Sequence, residues 1–146
     1  MNYYSYTKIT TPGPNGTTLK MVAPDDQQEN ELGTIDGLTY ISLPDDVVLP
    51  EQPVEINLQS VTMTDALKEQ LKLINPWCKL VAQQIRAKIR ERYDSEDEMY
   101  LTRISVGVLA GMYTYLPGEA EAVVEYGQYI EGIRQWGRDE RAKVGL

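Results

Sequence analysis

The sequence predicts an α+β fold: an N-terminal arm with short β-hairpins over residues 1–57, then a compact domain of three to four helices over residues 58–146. Three observations carry this expectation. Six of the eight prolines, at positions 12, 14, 24, 44, 50 and 53, lie in the first part. The β-formers there come in short runs closed by Gly, Pro, Asn and Asp, as strands between turns do. Beyond residue 58 the apolar residues recur every three or four positions, the period of a half-buried helix.

In the arm, residues 4–10 (YSYTKIT) read as a strand. The turn Pro12-Gly13-Pro14-Asn15-Gly16 follows, with residues 17–22 as the returning strand. Residues 24–30 read as a loop. Asp36-Gly37 separates Gly33-Thr34-Ile35 from Leu38-Thr39-Tyr40-Ile41, the signature of a second hairpin. Residues 45–49 suggest one more short strand. The arm has few large aliphatic residues, and so small a sheet is marginal alone. It is therefore expected to lean on the helical part or on another protein.

In the second part, Thr64 is placed to cap a helix over residues 65–74. Asn75-Pro76 restarts the chain as N-cap and first helical residue. The helix that follows, to about Tyr93, carries the stripe Trp77, Leu80, Val81, Ile85 and Ile89. Ser95-x-x-Glu98 fits a capping box and opens a third helix toward Met112 or Leu116. After Leu116-Pro117-Gly118, a last helix over residues 119–143 aligns Val123, Tyr126, Ile130, Ile133 and Trp136. Gly127, Gly132 and Gly137 weaken that helix intrinsically, so packing must hold it.

Composition excludes several kinds of chemistry. The chain has no histidine, which rules out Ser-His-Asp and Cys-His catalysis and imidazole metal ligation. The one cysteine, Cys78, cannot form an internal disulfide or a thiolate zinc site by itself. It sits in a helical stripe and reads as a small buried hydrophobe. No cofactor motif and no catalytic or metal-binding constellation stands out. Net charge is −8, which disfavours nucleic acid and anionic membranes as partners. It is distributed as −7 over residues 1–56, +4 over 57–93 and −5 over 94–146. The start shows no signal-peptide pattern. The most apolar run, residues 104–116, spans roughly 13 residues and is short of the ~20 that a membrane-spanning helix needs.

Several clusters have both a structural and a functional reading. The bases Lys79, Arg86, Lys88, Arg90 and Arg92 lie around one helix without an aromatic platform, as a solvated or internally paired face would. Asp94, Glu96, Asp97 and Glu98 lack calcium-loop spacing and suit a helix N-terminus, where the dipole is positive. Gly107-x-x-x-Gly111 permits close helix approach. The helix around it, with Val106, Val108, Leu109, Met112, Tyr113 and Tyr115, is apolar nearly all round. It is either core or covered by another chain. Ten of the twelve aromatic residues are Tyr, a residue common in shared surfaces. The candidate partner-binding residues are therefore Tyr3, Tyr4 and Tyr6 of the arm and Val108, Met112 and Tyr115 of the apolar helix. The arm is expected to be mobile until bound; if it is instead an ordinary folded sheet, the contact site moves to residues 107–115.

Residues 89–98 (IRERYDSEDE) and the ending YGQYIEGIRQWGRDERAKVGL at 126–146 resemble a group of short proteins encoded beside tail-fibre and baseplate genes of tailed bacteriophages. The likeness lies in a basic helix, an acid-rich helix start after a break, and an aromatic final helix with a WGR-like basic tail. It implies a non-enzymatic structural component of the virion tail, made in the host cytoplasm and attached near a fibre or baseplate. Its partners would be other tail proteins, with a homo-oligomer inside the assembly as one arrangement. The rival readings are a tail-fibre assembly chaperone absent from the finished particle and, from another class, a carboxylate-dependent glycan hydrolase.

Overall fold

The computed structural model describes residues 1–24 and 29–146, so the loop expected at 24–30 lies mostly outside the described residues. The fold is α+β, with short antiparallel strands first and four helices after them. The strands are β1 (Asn2–Tyr6), β2 (Ile9–Thr10), β3 (Thr18–Leu19), β4 (Asn30–Ile35), β5 (Leu38–Leu43) and β6 (Gln59–Ser60). The helices are α1 (Asp65–Ile74), α2 (Pro76–Arg92), α3 (Ser95–Leu109) and α4 (Glu119–Ala142). The chain divides into two compact units. One comprises Met1–Lys79 with Arg141–Leu146, the other Leu80–Glu140. This grouping differs from a division at residue 57/58, because α1, the start of α2 and the last six residues go with the sheet.

The first unit is built on a four-stranded sheet in the order β4-β5-β1-β6. β1 is an interior strand, antiparallel to β5 (Tyr4 opposite Ile41, Tyr6 opposite Thr39) and to β6 (Tyr4 opposite Ser60). Side chains alternate across the sheet. Tyr6, Ile41 and Leu43 join Met21 and Ile56 in one buried cluster, with Tyr4, Val47, Leu49 and Leu58 around it. On a second cluster, Tyr3 and Tyr40 pack with Leu32, Leu71, Cys78 and Leu146. The arm therefore has a core. Its missing apolar partners come from α1, α2 and the C-terminal tail, far away in sequence. The tail is fixed by hydrogen bonds from the Tyr3 hydroxyl to Gly145 O (2.8 Å) and from Ser42 Oγ to Val144 O (2.8 Å).

Local signals explain most of the turns. Asp36 and Gly37 both adopt positive φ (51° and 81°), the two-residue turn that matches strand twist. The β2–β3 pair confirms the first hairpin, but residues 4–10 do not form one strand: the chain leaves the main sheet after Tyr6. No strand forms at 45–49; Val47 N donates to Pro44 O in a turn. A 3-10 turn (Val54–Ile56) and β6 follow in a stretch that carried no strand signal. Thr64 caps α1 as expected, accepting from Leu67 N (3.3 Å). Asn75 is buried between α1 and α2. Its Oδ1 accepts from Cys78 N (2.9 Å), and its Nδ2 donates to Leu32 O (3.0 Å) at an irregularity in β4. One side chain thus starts α2 and satisfies a carbonyl that the ladder leaves open.

In the second unit, Val81 and Ile85 of α2 meet Gly137 of α4. A Cβ on Gly137 would stand 2.5 Å from Ile85 Cδ1 and 3.7 Å from Val81 Cγ1. Ile130 and Ile133 are buried beside it along α4. The α2 stripe is rotated from the one expected. Cys78 and Val81 are buried, whereas Leu80 is exposed and Trp77 is 36% exposed. The apolar period places both of the latter on the buried face, and the structure does not.

Candidate functional site

The most distinctive surface lies on α3 and the loop after it, both within the second unit. α3 begins one residue earlier than the Ser95-x-x-Glu98 pattern predicts. Asp94 is the N-cap, accepting from Asp97 N (2.8 Å), while Asp97 Oδ2 accepts from Asp94 N (3.2 Å). Asp caps as well as Ser, so the box simply moves back one position. The helix also stops early. Gly111 takes φ 69°, Met112 N donates to Gly107 O (2.8 Å), and Gly111 N donates to Val108 O (3.0 Å). This paired bonding, with glycine in the left-handed region, is a Schellman stop. Gly107 and Gly111 therefore do not form a helix-packing motif. Gly111 ends the helix, and Gly107 leaves room for Tyr113, whose Cβ would be 2.9 Å from an added Cβ.

The loop that follows is braced. The Glu119 carboxylate, buried at the start of α4, accepts from the Tyr100 hydroxyl, from the Tyr113 hydroxyl (2.9 Å to Oε2) and from Leu116 N (2.7 Å). Hydrogen bonding, from Tyr100 above all, holds this carboxyl below the usual glutamate range. The same bonds, with Glu119 the first cause in each case, raise the Tyr100 and Tyr113 hydroxyls.

On this braced frame the apolar side chains point outward. Val106 is 56% exposed, Leu109 88%, Met112 85% and Leu116 61%. Met99, two turns before Val106, is also exposed. Beside them runs an open groove of about 800 Å³, whose walls include Arg90, Glu96, Met99, Arg103, Val106 and Tyr126. Its far wall is tied together: Arg90 is ion-paired with Glu98, and the Tyr126 hydroxyl donates to Glu98 Oε1 (3.0 Å). Arg90 is the main cause holding the Glu98 carboxyl below its ordinary value. Tyr93 packs edge-on against Tyr126 (5.1 Å) and Tyr129 (5.6 Å).

The six residues expected to bind partners are scattered. Tyr6 is fully buried and is not available as a contact. Tyr4 packs against the sheet core, and Tyr3 is half-buried and bonded to the C-terminal tail. The tyrosines of β1 are thus structural, because β1 is flanked by a strand on each side. Met112 is open to solvent; Val108 and Tyr115 are half-buried. Met99 and Leu116 carry no signal as contact residues in the sequence, whereas Val106 and Leu109 belong to the apolar stretch around Gly107 and Gly111. The signal was Gly111: read as a helix stop, it would have turned the all-round apolar helix into a helix end with an exposed loop.

Among the described residues no group of three or more Cys, Asp or Glu is placed to hold a metal ion. None of the described helices is long and apolar enough to cross a membrane. Burial pushes the Cys78 thiol up, which makes it a poor nucleophile. Comparison with protein-family models, with curated proteins and with solved structures finds no match to this chain.

Proposed function

We propose that this chain is a non-enzymatic structural component of a tailed-phage tail. It attaches near the fibre or baseplate by protein–protein contacts through α3 and the loop after it. The observation that carries the contact reading is the exposed apolar set Val106, Leu109, Met112 and Leu116 on a loop held by Glu119. Clustered exposed apolar side chains mark interaction sites. A braced loop loses little freedom on binding, so more of the contact energy appears as affinity. What supports the tail setting is the resemblance carried by residues 89–98 and 126–146. The partners are then neighbouring tail subunits.

Gel analysis of purified particles tests the proposal. A stoichiometric band at 16.5 kDa is expected. A chain absent from particles, yet bound to unassembled fibre subunits, is an assembly chaperone and contradicts the proposal.

A further inference from the structure

We infer that the chain pairs with a second copy of itself along the exposed face of α3, in antiparallel register. The inference rests on the reading of α3 as a docking element and names one occupant for its groove. Four charged residues line the groove, and two of them, Arg90 and Glu98, are paired with each other, with Tyr126 also donating to Glu98. Glu96 and Arg103 are different. Both are exposed, both line the groove, and neither forms an ion pair among the described residues. They lie about two helical turns apart, with Met99 between them on the same face.

A face with an acid at one end, a base at the other and an apolar centre is complementary to itself under a twofold rotation. With the axis beside Met99 and Tyr100, Glu96 of each copy faces Arg103 of the other. Met99 of each copy then packs on Met99 and Tyr100 of the other. The helix dipoles run antiparallel in this arrangement, so each acidic N-terminus lies toward the other helix's C-terminal half. A partner of uniform charge would satisfy one of the two groups that lack an ion pair and repel the other. A second copy satisfies both, twice.

Charge reversal tests this in the full chain. Sedimentation velocity over a concentration series is expected to show a monomer–dimer equilibrium. Glu96→Arg alone and Arg103→Glu alone should each raise the dissociation constant about tenfold or more, because each sets two like-charged pairs across the axis. Mixing the two single variants should restore the dimer as a heterodimer, and the double variant should restore the homodimer. Far-UV circular dichroism should be unchanged throughout. A wild-type chain that stays monomeric overturns the inference, as does a dimer indifferent to both reversals or a mixture that fails to pair. The outcomes separate from those of the proposed function. A monomer that still enters tails refutes the pairing alone. A wild-type dimer that never enters tails refutes the tail assignment alone.

Discussion

Replacing Gly137 with leucine should force α2 and α4 apart within the helical unit. An added Cβ at this position would lie 2.5 Å from Ile85 Cδ1, 3.3 Å from Ile85 Cγ1 and 3.7 Å from Val81 Cγ1. A single methyl displaces only the flexible tip of Ile85. The helix-propensity gain from Gly to Ala, about 1 kcal/mol, therefore offsets the crowding, and Gly137→Ala should be near neutral. Leucine adds three more carbons to a filled contact and should cost about 1–3 kcal/mol. Gly127 and Gly132 lie on the same helix with nothing within 4 Å of an added Cβ. Alanine at each should stabilise by about 0.5–1 kcal/mol. Urea unfolding followed by far-UV circular dichroism reads all four variants on one scale. A Gly137→Leu protein as stable as wild type would refute the close α2–α4 contact. Destabilisation by Gly127→Ala or Gly132→Ala would show that those positions are packed.

Three further outcomes follow from other parts of the molecule. Leu71→Ala should cost about 2–5 kcal/mol, whereas Leu73→Ala, on the exposed side of the same helix, should stay within about 0.5 kcal/mol; equal costs would contradict the assigned face of α1. Tyr3→Phe should lose about 1 kcal/mol with the bond to Gly145 O, and Leu146→Ala about 2–4 kcal/mol; if neither moves the unfolding midpoint, the tail does not brace the sheet. Two titrations bracket the stable range. The Glu119 carboxyl is held below its ordinary 4.5, so its contribution is complete above that value and fades as pH falls through the lower folded value. The Tyr6 hydroxyl is pushed up to about 12, by burial first and then by Glu29 and Glu31. Its contribution is complete below its ordinary 10.0 and is lost as pH rises toward 12. Glu119→Gln should flatten the acid limb of a stability–pH curve and Tyr6→Phe the alkaline limb; curves that keep both limbs would contradict these assignments.

Signals confined to a few adjacent residues were legible in the sequence. Thr64, Asn75-Pro76 and Asp36-Gly37 each fix a backbone event through their own side chains or their own φ, and each appears where expected. The break at 94–98 was legible too, although Asp94 rather than Ser95 takes the cap. Contacts between distant residues were not legible. Part of the arm's core comes from Leu71, Cys78 and Leu146, which lie far along the chain from Tyr3 and Leu32. Trp77 and Leu80 fit an apolar period, but the neighbours of α2 select the side that carries Cys78 and Val81. Gly111 was read by its spacing from Gly107, whereas its role follows from φ, which spacing does not encode.

The most direct test of the docking surface is incorporation of a Leu109→Asp/Met112→Asp variant into tails. Both side chains are almost fully exposed, so the charges should leave folding intact, with unchanged circular dichroism. Wild-type and variant chains are supplied to particles that lack their own copy, and the purified tails are compared on a gel. A stoichiometric wild-type band and loss of the variant from the particle are expected. A variant that enters tails as well as wild type would contradict it.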